Sequence, residues 1–149
     1  MFGINTGDAV IGNVGTPGRF NYSALGTVVT TASRLQNLNK IYHTTIIISE
    51  AVREKLNAKY ITRPLDFLAI VEEFPPIQVF ELMGLSNSDK TDLILSSDQI
   101  ELSNEFTTAF NLFHDGKIPE ATKLFQALVT KYPKDEPSKI YLSKLKALK

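Results

Sequence analysis

The stretch Arg19-Phe-Asn-Tyr-Ser-Ala-Leu-Gly-Thr-Val-Val-Thr-Thr-Ala-Ser-Arg-Leu35 decides the fold of this chain. Aromatic and small residues alternate with polar ones over residues 20–24, which predicts a half-buried strand. Gly26 then allows a tight turn, and Thr27 is expected to cap the helix that follows. Apolar residues recur at helical spacing over residues 28–42. The stretch therefore predicts a strand, a turn and an amphipathic helix.

A second stripe of the same helix carries side chains that could bind an anion. Three threonines and one arginine share this stripe at spacings of three and four: Thr27, Thr30, Thr31 and Arg34. Arginine presents planar, paired donors that suit a phosphate group. An ordinary amphipathic helix with a solvated arginine would give the same pattern, so the residues alone leave both interpretations open.

The motifs in this stretch resemble those of the class III adenylate/guanylate cyclase catalytic domain. The residues that match the family's motif positions are Arg19, Tyr22, Gly26, Val29, Ala32, Ser33, Arg34 and Leu35. Upstream, residues 3–15 resemble the family's glycine-rich hairpin. Downstream, residues 46–50, 64–66 and 79–82 resemble its later strands, and the resemblance ends near Leu85. Several motifs thus occur in the family's order.

The resemblance implies an α+β fold, namely the C-terminal part of a ferredoxin-like nucleotide cyclase domain with a mainly antiparallel sheet. The residues themselves predict that residues 1–13 form two strands, joined as a hairpin at residues 5–8. A longer turn is expected at residues 13–18, and Ser49 is expected to cap a short helix that ends near residue 57. Further strands are expected at residues 44–48, 60–63, 65–71 and 77–83.

The composition changes after residue 85, which predicts a boundary. Residues 86–98 are rich in Ser, Asn, Asp and Lys, as is typical of a linker. Residues 99–149 have helical periodicity and predict an all-helical hairpin tail with a turn at residues 115–117 and a third helix near residues 137–148. Small and aromatic positions in this tail resemble a single tetratricopeptide (TPR) repeat: Ala109, Gly116, Ala121, Phe125 and Pro133.

We therefore expect a partial cyclase domain at residues 1–85, a linker at 86–98 and a TPR-like helical tail at 99–149. A lone repeat seldom stands alone, because stacked neighbours normally bury its faces. The tail is equally consistent with packing on its own domain or a dimer mate and with binding a protein partner.

Composition narrows the classes of partner. Lys plus Arg and Asp plus Glu number 16 each, so the net charge does not indicate nucleic acid or an anionic membrane as a partner. The chain has no cysteine, which excludes disulfides and thiolate metal sites. No apolar run approaches ~18 residues, so no transmembrane segment is expected. We expect a cytoplasmic chain, whose parent protein could be anchored to a membrane through upstream regions.

The resemblance implies a reaction and a set of site residues. In the family, two aspartates hold two metal ions, Mg²⁺ or Mn²⁺, and ATP or GTP becomes a 3′,5′-cyclic nucleotide and pyrophosphate. Arg34 matches the arginine that holds the phosphates, and Thr30 lies where an asparagine orients the ribose. Ser23 lies where a residue reads the purine. The resemblance thus implies Arg34 and Thr30 as catalytic residues, Ser23 and Arg34 as nucleotide-binding residues, and a second cyclase-type protomer as partner.

Departures from the family pattern bear on activity. The metal-binding aspartates and the base-reading lysine of the family lie upstream of its glycine-rich hairpin, so we expect all three to be absent from this chain. Thr30 replaces an asparagine, Thr27 replaces an aspartate or asparagine, and residues 70–73 carry two glutamates where the family has a basic loop. Carboxylates there would repel a triphosphate. His43 and His114 lack partners at diagnostic spacings and are interpreted as surface or packing residues.

Two functions are consistent with these patterns. The first is a fragment of a nucleotidyl cyclase of intracellular signal transduction, inactive alone and dependent on a second protomer. The second is a catalytically dead cyclase-like module that acts by dimerisation or through protein contacts of its tail. The order of the motifs favours the first function, whereas residues 30 and 71–73 favour the second. In either case we expect the apolar face around the central strand and helix to be incompletely buried.

Overall fold

A computed structural model describes residues 1–16, 18–69, 75–87 and 91–148, which form an α+β fold. The strands are β1 (Phe2–Ile4), β2 (Val10–Thr16), β3 (Arg19–Leu25), β4 (Ile46–Ser49), β5 (Tyr60–Leu68) and β6 (Ile77–Leu85). The α-helices are α1 (Thr27–Tyr42), α2 (Glu50–Arg53), α3 (Ser97–His114), α4 (Ile118–Lys131) and α5 (Glu136–Ala147), and a 3₁₀ turn at Thr91–Leu93 precedes α3.

Four of these strands form the main sheet in the order β1-β4-β6-β5. β1 and β4 are parallel, while the β4–β6 and β6–β5 pairs are antiparallel, so the sheet is mainly antiparallel as predicted. The parallel pair needs a long connection, and β2, β3 and α1 lie within it. α1 packs on this sheet through its predicted apolar stripe, in which Leu35 and Tyr42 are buried beside Ile47 and Leu65.

The first hairpin is not where the sequence predicted it. β1 joins the main sheet beside β4, and β2 pairs instead with β3, from Val10 opposite Leu25 to Thr16 opposite Arg19. The predicted hairpin at residues 5–8 is therefore wrong: this segment carries the chain from the main sheet into a separate two-stranded hairpin. Turn residues mark where the chain bends, but the strand with which β1 pairs lies more than 40 residues further along the sequence.

A backbone contact fixes β1 against α1. A Cβ added at Gly3 would lie 2.2 Å from the carbonyl oxygen of Ala32 and 2.3 Å from the amide nitrogen of Gln36. Glycine is therefore required at this position by close approach, and this contact brings the helix directly onto the edge strand.

β5 is one strand where the sequence predicted two. It shifts register between Ile61 and Thr62 and again between Pro64 and Asp66. Proline cannot donate a ladder hydrogen bond, and it is tolerated here because β5 is an edge strand with an irregularity at that point. The predicted end of the second strand, Val71, lies outside the described residues.

The structure has three helices where the sequence predicted them in the tail, and α3 packs on the sheet, while the resemblance to a TPR repeat stays a prediction. Ser96 caps α3 in a capping box with Gln99. α3 packs on β5 and on α4, and α5 packs on α4 and α1. Side chains from the helices and the sheet form one hydrophobic cluster that includes Leu35, Leu65, Val79, Phe106, Phe110, Phe125 and Tyr141. The sheet and the helices therefore share a core, while the proposed division of the chain at residues 85 and 99 stays a prediction.

Two further details differ from expectation. Ser49 precedes α2 as predicted, but its side chain makes no capping hydrogen bond, and α2 ends at Arg53. β6 extends to Leu85, two residues beyond the predicted strand at 77–83, and its Gly84 is packed against Leu95. Within the part of the chain that the structure describes, no helix combines the length and the apolar character that a membrane span requires.

Candidate functional site

The start of α1 differs from the predicted capping pattern. Gly26 is the N-cap residue, with φ of 135°, and no side chain caps the helix, so the predicted cap at Thr27 is wrong. Thr31 is buried and its Oγ1 donates a hydrogen bond to the carbonyl oxygen of Thr27 at 2.7 Å. The predicted anion-facing stripe therefore loses Thr31, while Thr30 and Arg34 remain exposed.

Arg34 is oriented by the end of strand β5. Its Nη1 donates a hydrogen bond to the carbonyl oxygen of Ala69 at 2.9 Å, directly after the last residue of β5. A guanidinium carries five donors, and this bond uses one of them and orients the group. Residues 70–73, where two carboxylates replace the family's basic loop, lie outside the described residues.

Thr30 and Ser23 come from two adjacent elements. Thr30 lies one turn before Arg34, and residues four apart project from the same face of a helix. The Thr30 hydroxyl is 3.5 Å from the carbonyl oxygen of Gly26, the long limit of a hydrogen bond. Ser23 is half-buried on β3, opposite Gly12. The structure thus brings Thr30 and Arg34 onto one exposed helix face and presents Ser23 on the strand that leads into that helix.

A pocket of about 520 Å³ lies at the start of α1, where Thr27 and Thr31 of the predicted anion-facing stripe line it. Its described lining residues include Asn5, Thr27, Glu50, Glu54 and Ile77, and none of the three predicted site residues is among them. Two carboxylates at the pocket would repel a triphosphate. This pocket therefore does not correspond to the predicted nucleotide site.

The described residues contain no cluster of three or more candidate metal ligands. Across residues 1–16, 18–69, 75–87 and 91–148, no three His, Asp or Glu side chains are grouped so that they could hold a metal ion. Of the carboxylates nearest the candidate site, Asp66 is already bound by Tyr42 and Lys144.

The β2–β3 hairpin exposes apolar side chains on both of its faces. Tyr22 and Phe20, on one face, are 77% and 60% exposed, and Val10 and Leu25, on the other, are 71% and 49% exposed. β3 was predicted to be half-buried, and in this chain it is largely uncovered. A two-stranded hairpin is only marginally stable alone in water, so this surface is suited to being covered by another protein surface.

A polar cluster that the sequence did not reveal joins α1, β5 and α5. The Tyr42 hydroxyl donates a short hydrogen bond to Asp66 Oδ2, and Lys144 Nζ lies 3.1 Å from the same oxygen. Burial alone would raise the pKa of Asp66, but hydrogen bonds from Tyr42, the Phe67 N–H and Lys144 outweigh burial and hold the pKa below its usual value. Burial and the adjacent carboxylate raise the pKa of Tyr42, so this hydroxyl remains a donor.

A second missed feature is a buried arginine that joins the sheet to α5. Arg63 is 3% exposed, and its guanidinium lies 2.7 Å from Glu81 Oε2 and 2.8 Å from Asp135 Oδ1. Asp135 also caps α5 by accepting a hydrogen bond from the Ser138 N–H. Burial alone would lower the pKa of Arg63, but the two carboxylates outweigh it and keep the pKa raised. These partners are distant in sequence, and no local pattern predicts such pairs.

Both histidines lie at the surface and one of them packs on aromatic rings, in agreement with their interpretation as surface or packing residues. His114 contacts the rings of Phe67, Phe110 and Phe113, with centroid distances of 4.9, 4.3 and 5.1 Å. Burial lowers the pKa of His114, which favours the neutral ring in these surroundings. His43 ends α1 in the left-handed conformation, with φ of 54°.

Two adenylate cyclases are similar to this chain in sequence. It is 28% identical over 145 residues to the terminal-differentiation-specific adenylate cyclase of Dictyostelium discoideum, an alignment that covers 95% of this chain and 7% of that relative. It is 36% identical over 90 residues to adenylate cyclase 1 of Rhizobium meliloti, which covers 60% of this chain and 14% of that relative. These similarities support a class III cyclase-like domain in this chain, which spans only a small part of either relative.

The other comparisons add little to this assignment. No family model matches the chain. Among solved structures it is similar to a bacterial light-regulated adenylyl cyclase, with 18% identity, a TM-score of 0.43, and coverage of 68% of this chain and 26% of that one. It is also similar to the guanylyl cyclase Cya2, with 25% identity, a TM-score of 0.45, and coverage of 63% and 46%. The class assignment therefore rests on the two sequence relatives.

Proposed function

We propose that this chain contributes the C-terminal part of a nucleotidyl cyclase domain to intracellular signalling. In this role it converts ATP or GTP to a 3′,5′-cyclic nucleotide and pyrophosphate only together with a second cyclase-type protomer. The observation that carries the proposal is the pair Thr30 and Arg34, exposed on one face of α1, with Arg34 held by the Ala69 carbonyl. Similarity to two adenylate cyclases supports the same class of reaction.

Each candidate residue has a definite task in this reaction. The ribose 3′-oxygen forms a bond to the α-phosphorus, the bond to the bridging oxygen breaks, and pyrophosphate leaves with that electron pair while the hydroxyl proton is released. The fixed positive charge of Arg34 stabilises the negative charge that develops on the phosphates. The Thr30 hydroxyl contacts the ribose, and the Ser23 hydroxyl, which can donate and accept, contacts the purine edge.

The chain is proposed to be inactive alone, and this part rests on the family resemblance. The resemblance assigns metal binding to two aspartates and base reading to a lysine, and none of these falls among the matched motif positions. A single arginine contributes about 3 kcal/mol, judged from losses at oxyanion sites. That contribution is small against the roughly 8 kcal/mol or more that enzymes typically supply. We propose that the partner protomer provides the metal-binding aspartates, the lysine and Mg²⁺ or Mn²⁺.

The exposed hairpin supports the proposed assembly. β2 and β3 pair only with each other among the described residues, and both faces carry exposed apolar side chains. A second protomer that covers this surface would bury it and complete the site. The alternative role, in which the tail binds a protein partner, has less support because α3 and α5 already pack on β5 and α1.

The decisive experiment is a complementation assay. The purified chain is mixed with ATP or GTP and Mg²⁺ or Mn²⁺, alone or with a cyclase protomer that retains both aspartates but has its own helix arginine replaced. We expect no product from the chain alone and measurable cyclic nucleotide from the mixture. Arg34→Ala should then lower the rate about 100-fold, by analogy with loss of one oxyanion donor.

Two further variants test the assignment. Thr30→Asn should raise the rate of the mixture, because it restores the amide with which the family orients the ribose. Lys40→Ala removes an exposed cation from the same helix and should leave the rate unchanged. Robust product from the isolated chain, or equal losses for Arg34→Ala and Lys40→Ala, would contradict the proposed function.

A further inference from the structure

We infer that Lys144 and Asp66 are positioning residues for Arg34, because they clamp α1 to the end of strand β5 from the helical tail. The inference rests on the proposed function only for the role of Arg34 itself. We call the contacts among Tyr42 of α1, Asp66 of β5 and Lys144 of α5 the clamp. Through Lys144, the helical tail supports the candidate site.

Two hydrogen bonds tie α1 to β5 at separate points. At one point the Tyr42 hydroxyl donates to Asp66 Oδ2, and at the other Arg34 Nη1 donates to the Ala69 carbonyl oxygen. The bonded residues are eight apart on α1, or about 12 Å at 1.5 Å per residue. They are three apart along the chain at the end of β5, or about 10 Å at 3.3 Å per residue. The two spans are similar, so the two bonds join α1 to the end of β5 at corresponding points along both segments.

Lys144 of α5 completes the first of these points. Its Nζ lies 3.1 Å from Asp66 Oδ2 and 3.2 Å from the Tyr42 hydroxyl oxygen, so one ammonium group contacts both partners. The same Nζ lies 4.6 Å from the ring centroid of Tyr141, whose hydroxyl donates to the Leu65 carbonyl oxygen at 2.8 Å. α5 therefore holds β5 through two consecutive residues, Leu65 and Asp66.

The clamp has a direct consequence for Arg34. Without Lys144, Asp66 loses its cationic partner, and the polar contact between Tyr42 and β5 is reduced to one hydrogen bond to a partly exposed carboxylate. The strand end that orients Arg34 then gains freedom relative to the helix that carries it. A displacement of about 1 Å at a site of this kind is enough to lower a rate by about 100-fold, so a loosened clamp should affect turnover more than binding.

Amide hydrogen exchange tests the clamp independently of any reaction. Lys144→Met keeps the apolar stem and removes the charge, and it should speed exchange at residues 36–42 about fivefold, the factor that corresponds to about 1 kcal/mol. Lys144→Arg should restore slow exchange. Lys146→Met, an exposed lysine on the same helix, is the matched control and should have no effect.

A double-mutant cycle identifies Asp66 as the group through which Lys144 acts. In an Asp66→Asn background, Lys144→Met should add nothing to the exchange rate at residues 36–42. Additive effects of the two substitutions, or unchanged exchange in Lys144→Met, would overturn the clamp. These results do not depend on whether the chain contributes to a cyclase.

The complementation assay tests the role of the clamp in positioning Arg34. Lys144→Met should lower kcat several-fold and leave KM nearly unchanged, whereas Lys146→Met should change neither. Faster exchange together with an unchanged kcat would overturn the positioning role. If Arg34→Ala also left kcat unchanged, the proposed function itself would be wrong, and the exchange experiment would still report on the clamp.

Discussion

Asp66 shows how a single side chain can depend on three elements. It accepts hydrogen bonds from Tyr42 of α1, from Lys144 of α5 and from the backbone N–H of Phe67. Its side chain is 32% exposed, so each contact alone is partly screened by solvent. The combined effect is visible in its pKa, which is lowered below the ordinary value of 3.8 even though burial opposes this change.

The lowered pKa of Asp66 predicts a loss of stability in acid. A carboxyl group with a lower pKa in the folded state stabilises that state fully above pH 3.8, and this contribution disappears as pH falls through the folded value. Lys144 contributes to the lowered pKa of Asp66, and His114 is a second titratable group close enough to interact with this carboxylate. Asp66→Asn should therefore reduce the free energy of unfolding well above pH 3.8 and have little effect well below it. Urea titrations of both proteins across this range measure the difference, and a constant difference would contradict the prediction.

At the scale of elements, local patterns predicted what each segment becomes but not which segments pair. The apolar stripe of α1 and the three tail helices were predicted because their spacing is local. Pro64 suggested a break between two strands, yet the edge position of β5 lets one irregular strand accommodate it. β1 could not be assigned to β4 from turn residues, because that pairing depends on a partner far along the chain.

For the candidate site as well, the sequence predicted residues that belong to local motifs and missed contacts between distant elements. The motif positions predicted Thr30 and Arg34 as site residues; both are exposed on α1, and their roles stay predictions. Thr31 was wrongly included, because spacings of three and four did not show that this hydroxyl would turn inward to the Thr27 carbonyl. The Tyr42, Asp66 and Lys144 cluster was missed because its members lie on three elements that only the tertiary fold brings together.

Arg63 forms ion pairs that connect β5 and β6 to the start of α5. Substitution of Arg63 is therefore expected to lower the stability of the fold strongly. Arg63→Met would leave Glu81 and Asp135 as buried carboxylates without their cation. Breaking one side of a buried ion pair typically costs about 3–5 kcal/mol, so the free energy of unfolding should fall by that amount. Arg53→Met, which removes a guanidinium 5.4 Å from the Phe80 ring, should cost about 1 kcal/mol or less. Chemical denaturation measures the free energy of unfolding of both variants. Similar losses in Arg63→Met and Arg53→Met would contradict a stabilising role of the buried ion pairs.

At the scale of the whole molecule, the sheet and the tail form one hydrophobic core, while the β2–β3 hairpin stands outside it. The alignment with the Dictyostelium relative covers 95% of the chain and so includes the helical tail as well as the motif-bearing part. The molecule thus has one well-packed body and one uncovered surface. The proposed protein partner for this surface is a second cyclase-type protomer.

The uncovered hairpin predicts association that depends on its apolar side chains. Tyr22→Ser and Phe20→Ser together remove two exposed rings from one face and should weaken self-association or association with a cyclase protomer about tenfold or more. Sedimentation velocity over a range of concentrations measures this effect. Tyr60→Ser removes an aromatic residue that is 40% exposed on β5 and serves as the control. A monomer at all concentrations that also fails to bind a cyclase protomer would contradict the proposed assembly.

The contact between the β1 backbone and α1 predicts a sharp difference in mutational tolerance between neighbouring positions of β1. Saturation mutagenesis of this strand would measure it. Phe2 and Ile4 are 62% and 41% exposed, so many substitutions there should preserve the fold. Gly3, between them, has no room for even a methyl group against Ala32 and Gln36. Gly3→Ala should cost about 1–3 kcal/mol, as overpacking does, and larger side chains should abolish folding. Over evolutionary time, sequence drift at this strand would then be confined to the positions on either side of a fixed glycine.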